Sequence, residues 1–171
     1  MDALALVSDE AKRRGLSERT IDTYLYCINT FLKKLNKEPN FITKYDIRTY
    51  IDSLIARSCT GNTLNVHVNA LRFLFQEILN KPVVKNITYS KTPQRLPIVL
   101  TQEEVQRLFT AIINPKHRLM IELLYASGMR VSELTNLKAE DLNLQKKLGW
   151  VRQGKGMKDR IFIIADKLIE K

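Results

Sequence analysis

The stretch Leu123-Leu-Tyr-Ala-Ser-Gly-Met-Arg-Val-Ser-Glu-Leu134 decides how the second half of the chain folds. Its pattern predicts the end of one helix, a glycine stop and the start of another helix. Gly128 can take the left-handed conformation that ends a helix without the steric cost of a Cβ. Arg130 then falls at the start of the next helix, and Glu133 follows one turn later. This spacing predicts that Glu133 holds Arg130 in place and leaves its guanidinium able to bind a phosphate. The alternative is that Arg130 and Glu133 form a plain exposed ion pair.

The composition is that of a basic globular protein. The 171 residues carry a net charge of +10 with a pI of about 9.7, and 44% of them are hydrophobic. Residues 1–85 contribute +4 and residues 86–171 contribute +6. Both halves can therefore contact one polyanion, for which nucleic acid is the commonest candidate, while a basic surface that only aids solubility is the alternative. Because neither a membrane span nor a signal peptide is recognisable, we expect a cytoplasmic protein with no membrane partner.

The cysteines and histidines do not form a metal-binding pattern. Cys27 and Cys59 lack ligand spacing and are expected to be free thiols. His67 and His117 are isolated in the sequence, which is typical of packing or surface residues. We therefore predict no metal site and no cofactor.

Helical periodicity predicts a first domain at residues 1–81. Apolar residues recur at helical spacing over 3–14, 18–35, 44–56 and about 60–79. Ser17 and Thr43 are placed to cap the second and third helices. Four amphipathic helices with short connections form a small bundle. Residues 82–100 contain three prolines among polar residues, which predicts an extended linker.

A second domain is predicted at residues 101–171, where helices give way to strands. Thr101 and Glu104 form the pattern of a capping box, and helices are expected at about 102–113, 116–126 and 130–137. Residues 148–153 and 160–164 are β-rich runs joined by a turn that contains glycine and aspartate. The predicted fold is therefore mainly α, with a partial α+β second domain that carries one β-hairpin. A last helix starts near residue 165 and is cut short, so we expect a truncated sequence, either a piece of a longer protein or a shortened reading frame.

The predicted hairpin is strongly basic. The turn and its flanks hold six basic residues and one acid, Asp159. The basic residues are Lys146, Lys147, Arg152, Lys155, Lys158 and Arg160. Such a hairpin can contact phosphates, or it can be a solvated turn. The Gly-Lys-Gly of the turn lacks the spacing of a nucleotide-binding loop, and it joins two predicted strands. We therefore reject the hypothesis that it binds a nucleotide.

Several of these segments resemble the tyrosine recombinases, the phage integrase family. The run from Leu123 to Leu142 resembles the first arginine motif of the family, particularly in its Xer-like and integron-type members. The run Gly154-Lys-Gly-Met-Lys-Asp-Arg160 resembles its β-hairpin, and residues 96–105 resemble the entry into its catalytic domain. Residues 1–81 are similar to its four-helix, SAM-like core-binding domain.

The resemblance implies a site-specific recombinase that breaks and rejoins DNA. By this likeness Arg130 is the first catalytic arginine, Lys155 is the catalytic lysine and Glu133 supports the arginine. The family proceeds through a 3′-phosphotyrosyl intermediate. Its His-x-x-Arg motif and its nucleophilic tyrosine follow the hairpin, and this chain contains neither. We therefore expect the 171 residues to bind DNA without cleaving it.

Polar and basic positions outside the arginine motif are the candidate contacts to duplex DNA. They are Arg19, Thr20, Asn62, Asn65 and Arg72 in the bundle, Lys91 and Arg95 in the linker, and Lys158 and Arg160 in the hairpin. The family resemblance implies a homotetramer on DNA for the full-length protein, whereas we expect this chain alone to be a monomer. Two alternatives are a non-catalytic regulator or decayed integrase that ends at residue 171, and a helical transcription factor of other ancestry.

Overall fold

The computed structural model describes residues 2–92, 96–152 and 158–169. The chain divides into two compact units, residues 1–95 and residues 96–171. Helices dominate both units, and a small antiparallel sheet lies in the second. The predicted fold class is thereby confirmed.

The amino-terminal unit contains four α-helices. They are α1 (Ala3–Arg13), α2 (Glu18–Leu35), α3 (Lys44–Ala56) and α4 (Gly61–Arg72), with 3-10 turns at Pro39–Phe41 and Pro82–Val84. The sequence predicted one continuous helix to about residue 79. Instead, α4 passes at Phe73 into a π-helical turn that ends at Ile78.

Side-chain caps explain where these helices begin. The Ser17 hydroxyl accepts a hydrogen bond from the Thr20 amide at 3.3 Å, which satisfies one of the free donors at the start of α2. Thr43 and Asp46 cap each other at the start of α3, with distances of 2.9 and 3.2 Å. Both predicted caps are thus confirmed.

The apolar faces of the four helices meet in one core. Its fully buried members include Val7, Ile28, Phe31, Ile47, Leu71, Leu74 and Phe75. Tyr50 and His67 are also buried, and the Tyr50 hydroxyl lies 3.1 Å from His67 Nδ1. Burial lowers the pKa of His67. His67 is therefore a core residue, one of the two roles that its isolation in the sequence indicated.

The segment that follows the bundle is held along α4. Val84 is fully buried, and the Asn65 amide exchanges two hydrogen bonds with the Ser90 backbone, at 2.8 and 3.0 Å. Arg72 donates to the Ile87 carbonyl at 2.6 Å. Residues 82–92, the first part of the predicted linker, thus lie against the helical unit.

The second unit places three strands beside its helices. The helices are α5 (Gln102–Ala111), α6 (Pro115–Ser127), α7 (Val131–Thr135) and α8 (Asp166–Ile169), with a 3-10 turn at Ala139–Asp141. The strands are β1 (Leu142–Asn143), β2 (Leu148–Val151) and β3 (Arg160–Ile163), paired antiparallel in the order β1-β2-β3. The hairpin of β2 and β3 was predicted from sequence, whereas β1 was not.

One face of the sheet forms the core of this unit with the helices. Met129, Leu134, Val151, Phe162 and Ile164 are its buried residues. Gly149 pairs with Phe162 across the sheet, and a Cβ at position 149 would collide with the Phe162 ring. The ring therefore covers the glycine, and this close approach needs a residue without a side chain.

We expect Gly149→Ala to destabilise the second unit by about 1–3 kcal/mol, because the added methyl group displaces the buried Phe162 ring. Trp150, the only tryptophan of the sequence, lies next to the substitution and reports unfolding of this unit by its fluorescence in urea. In a Phe162→Leu background, Gly149→Ala should lower the free energy of unfolding by a smaller amount. An equal cost in both backgrounds would contradict the steric explanation.

We expect Asn65→Ala to destabilise the amino-terminal unit by roughly 1–2 kcal/mol, since the Ser90 amide and carbonyl would lose their partners in a half-buried site. Thermal unfolding followed by far-UV circular dichroism measures the change. The exposed Asn62→Ala is the matched control and should leave the midpoint within error.

Candidate active site

The turn between α6 and α7 fixes the position of Arg130. Gly128 ends α6 with a φ of 61°, and its amide donates to the Leu124 carbonyl at 3.0 Å. The next residue, Met129, is buried in the core and anchors the turn. Arg130 follows in extended conformation as the residue that precedes α7. The predicted helix, glycine stop and second helix are all present.

A buried carboxylate orients Arg130. Glu133 lies one turn into α7, and its side chain is 4% exposed. Its Oε2 accepts from the Arg130 amide and its Oε1 accepts from Arg130 Nη1, both at 2.8 Å. The Arg130 side chain is nevertheless 56% exposed. One edge of the guanidinium is therefore held while much of the group faces solvent, where it can bind an oxyanion.

A second arginine shares this carboxylate. Arg160, the first residue of β3, donates from Nη2 to Glu133 Oε2 at 2.7 Å. This bond and the bond from the Arg130 amide hold the pKa of Glu133 far below its usual range. Glu133 is therefore ionised at neutral pH, where it can accept hydrogen bonds from both arginines.

A similar ion pair lies at the end of β2. Arg152, the residue after β2, donates from Nε to Asp141 Oδ1 at 2.5 Å. The Lys138 amide donates to the other oxygen, Oδ2, at 3.2 Å. Asp141 is buried, and the hydrogen bond from Arg152 lowers its pKa. The residue after β2 and the first residue of β3 are thus both arginines bound to buried carboxylates.

The two candidate contacts in α2 lie at its first turn. Arg19 is exposed, and the Thr20 hydroxyl lies 2.8 Å from that of Ser17. Both residues line a shallow depression that Asn69 of α4 also lines. The structure therefore brings this pair beside a polar residue of the fourth helix.

The three candidate contacts in α4 have different surroundings. Asn62 is exposed at the start of the helix. The Asn65 amide is engaged with Ser90, and the Arg72 guanidinium lies 4.3 Å from the centre of the Tyr89 ring. The last two residues thus have structural partners within the unit, and their contact with DNA stays a prediction.

The remaining candidates are spread over the linker and the hairpin. Lys91 and Lys158 are exposed, and Arg160 is bound to Glu133. Lys155 and Arg95 lie outside the described residues. Within the described ranges, no group of three or more His, Cys, Asp and Glu side chains could hold a metal ion. No helix in that part of the chain is long and apolar enough to span a membrane.

Comparison with known proteins identifies the family. The phage integrase N-terminal SAM-like domain matches residues 4–85, and the phage integrase family domain matches residues 98–171. This chain belongs to the phage integrase family. The tyrosine recombinase XerA of Pyrococcus furiosus is 39% identical over 158 residues, which cover 91% of this chain and 54% of that protein. The tyrosine recombinase XerD of Oceanobacillus iheyensis is 32% identical over 168 residues, covering 90% of this chain and 56% of XerD.

Solved integrase structures share the fold. A lambda integrase tetramer bound to a Holliday junction aligns with a TM-score of 0.75 at 18% identity, covering 99% of this chain and 52% of that one. A Tn1549 transposon integrase in complex with circular intermediate DNA aligns with a TM-score of 0.71 at 16% identity, covering 99% and 62%. This integrase chain spans about half the length of the curated relatives it matches.

Sequence reasoning missed two features of this candidate site. The pair of Arg152 with Asp141 was not expected, and Arg160 was considered only as a DNA contact. A signal existed in both cases, since each arginine adjoins the predicted turn and each acid lies in the arginine motif or just after it. Pairing them requires knowing how the sheet lies on the helices, which the sequence does not give.

The pKa of Glu133 predicts an acid-dependent loss of stability. A carboxyl whose pKa is lower in the folded state stabilises the fold above its unfolded pKa, near 4.5, and loses this contribution as the pH falls. We therefore expect urea midpoints, followed by Trp150 fluorescence, to fall from about pH 5 downward. Glu133→Gln should be less stable at neutral pH and should show a shallower acid dependence.

Asp46 provides the control for this pH dependence. The pKa of Asp46 is lowered to about 2, mainly by its hydrogen bond with Lys37. Asp46 lies in the amino-terminal unit, whereas Trp150 lies in the second unit. Asp46→Asn should therefore leave the Trp150 transition unchanged. A Glu133→Gln curve of urea midpoint against pH that runs parallel to the wild-type curve between about pH 5 and pH 3 would contradict the assignment of the acid dependence to Glu133.

Proposed function

We propose that this chain is the DNA-binding amino-terminal portion of a site-specific tyrosine recombinase. The observation that carries the proposal is the exposed guanidinium of Arg130 held by the buried Glu133, at the position of the family's arginine motif. The net charge of +10, spread over both halves, supports a polyanionic partner. Duplex DNA that carries a recombination site is the substrate that this combination fits best.

Arg130 would bind the scissile phosphate. In the family reaction a tyrosine oxygen attacks phosphorus, the bond to the 5′ oxygen breaks and a 3′-phosphotyrosyl link forms. Negative charge accumulates on the nonbridging oxygens during this step. A guanidinium that is already oriented stabilises that charge without a metal ion.

Lys155 would act as the general acid. It falls between β2 and β3 in the sequence, and by the family resemblance it donates a proton to the departing 5′ oxygen. The histidine, the second arginine and the tyrosine would come from sequence beyond residue 171. The whole protein is proposed to assemble as a homotetramer on DNA in the cytoplasm, and this chain alone is proposed to bind DNA without cleaving it.

DNA binding by the chain should depend steeply on salt, because each phosphate contact releases counterions. Fluorescence anisotropy with a short labelled duplex of arbitrary sequence, titrated across a range of NaCl concentrations, measures the slope. We expect Arg130→Ala and Arg19→Ala each to reduce the slope by about 0.9 if each residue contacts one phosphate. Glu38→Gln, which changes an exposed residue, is the control. A wild-type chain that prefers RNA or anionic vesicles over duplex DNA would refute the proposal.

Strand cleavage should need Arg130 and Lys155 in the protein translated from the native gene. A recombination site selected from a random duplex pool serves as substrate, and denaturing gels detect the covalent adduct. We expect Arg130→Ala to reduce adduct formation at least about 100-fold, and Lys155→Ala about 100- to 10,000-fold. Binding should be largely retained. Equal losses of binding and cleavage would make both residues phosphate anchors, and the absence of any wild-type adduct would favour the non-catalytic regulator.

A further inference from the structure

One side of α4 carries a stripe of residues that binds a later part of the same unit. The members of the stripe are spaced four, four and three positions apart, which places them on one helical face. They are Gly61, Asn65, Asn69 and Arg72. Residues 87–92 form a strap that passes along this stripe in the direction opposite to α4.

The Asn65 side chain fixes the register of the strap at Ser90. Its Nδ2 donates to the Ser90 carbonyl at 3.0 Å, and its Oδ1 accepts from the Ser90 amide at 2.8 Å. The two residues therefore exchange a pair of hydrogen bonds, as two paired residues of adjacent antiparallel strands do. A shift of the strap by one residue would break both bonds, because neighbouring amides of an extended chain point to opposite sides.

The next two members of the stripe hold Tyr89. The Tyr89 hydroxyl donates to Asn69 Oδ1 at 2.5 Å, and the Arg72 guanidinium lies 4.3 Å from the centre of the Tyr89 ring. Arg72 also donates from Nη2 to the carbonyl of the buried Ile87 at 2.6 Å. Arg72 therefore binds the strap both through a donor and through a cation–π contact.

The other end of the strap lies directly against Gly61. A Cβ at position 61 would stand 3.0 Å from Thr92 Cγ2, 3.2 Å from the Lys91 carbonyl oxygen and 3.4 Å from Ser90 Cβ. Carbon atoms in contact lie about 3.5–4.0 Å apart, so a side chain at position 61 would push the strap outward. Glycine at this position therefore permits the close approach of the strap backbone.

An exposed lysine lies on the held strap. Lys91 follows Ser90, which is bound to α4, and the Lys91 side chain is exposed. Asn69, which the strap also binds, lines a shallow depression together with Arg19 and Thr20, two candidate contacts of α2. The strap therefore carries a cation at a fixed backbone position, and it runs beside another candidate part of the DNA-binding surface.

We propose that the α4 stripe holds the strap so that Lys91 contacts a DNA phosphate, and that Asn65 is a positioning residue for this contact. This inference rests on the proposed DNA-binding function. It replaces the role predicted for Asn65 from sequence, direct contact with DNA, with one exerted through Ser90 and the strap. A lysine whose backbone is already held loses less conformational freedom on binding than a lysine on a free linker.

The first test measures the strap in the 171-residue chain without DNA. Hydrogen exchange of the Ser90 amide, followed by NMR, reports whether Asn65 holds it. We expect slow exchange in the wild type and an acceleration of at least about tenfold in Asn65→Ala, because the amide loses its acceptor in a half-buried site. Asn62→Ala, which changes an exposed asparagine of the same helix, is the matched control and should leave the exchange unchanged. A wild-type Ser90 amide that exchanges as in an unfolded peptide would overturn the inference, whether or not the chain binds DNA.

The second test separates an action through Lys91 from a direct contact of Asn65 with DNA. Asparagine carries no charge, so the loss of a direct contact would weaken binding without changing the number of counterions released. An Asn65 that positions Lys91 would instead affect the salt dependence, because the lysine would lose its phosphate. Fluorescence anisotropy with the same short labelled duplex, across a range of NaCl concentrations, measures the slope.

We expect Lys91→Gln to reduce the slope by about 0.9, the value for one phosphate contact. Asn65→Ala and Gly61→Val should each move the slope toward that of Lys91→Gln, and neither should reduce it further in a Lys91→Gln background. Gly61→Val is informative because glycine has no side chain that could contact DNA. Lys85→Gln, which changes an exposed lysine before the strap, is the control, and its effect should add to that of Asn65→Ala.

Two results of the binding experiment would overturn the inference alone. The first is a slope for Asn65→Ala equal to that of the wild type, and the second is an Asn65→Ala loss of affinity that is equal with and without Lys91. Circular dichroism of each variant at the assay temperature ensures that folded chains are compared. A wild-type chain that does not bind duplex DNA would instead refute the proposed function, and the inference with it.

Discussion

A buried carboxylate that binds two arginines sets the geometry of the second unit. Glu133 lies one turn into α7, and it accepts hydrogen bonds from Arg130 on one side and from Arg160 on the other. Burying a carboxylate without partners is costly, so the three groups stay together once the domain has folded. The turn at Gly128, the short helix α7 and the start of β3 are all placed by the need to satisfy this one side chain.

The shared carboxylate explains how two arginines can be held close together while the site keeps a positive charge. Two arginines and one carboxylate leave a net charge of +1, and the lowered pKa of Glu133 keeps that balance at neutral pH. An amide in place of the carboxylate would offer one acceptor oxygen instead of two, and it would not offset the repulsion between the arginines. The carboxylate therefore lets two cations lie close together while Arg130 keeps much of its surface free for an anion.

Much of the fold followed from local sequence signals. The caps at Ser17, Thr43 and Thr101, the glycine stop at Gly128 and the β-rich run of β2 are short-range features, and each has its predicted structural counterpart. Strand β1 was missed because Leu142–Asn143 is too short for a period-two pattern and forms only by pairing with β2. The π-helical turn after Arg72 was missed because helical spacing alone does not distinguish it from an α-helix.

The candidate site was predictable in its residue types but not in its connections. Arg130 and Glu133 are three residues apart, so their contact follows from helical geometry. The bonds from Arg160 to Glu133 and from Asn65 to Ser90 join positions more than twenty residues apart, and they depend on how one element packs on another. Long-range polar contacts of this kind also change what a surface pattern implies. Arg72, Asn65 and Arg160 have the residue types of nucleic-acid contacts, yet each is bound first to a neighbour within its own unit. A polar residue on a helix or strand is therefore best assigned to a partner only after its hydrogen bonds within the chain are known.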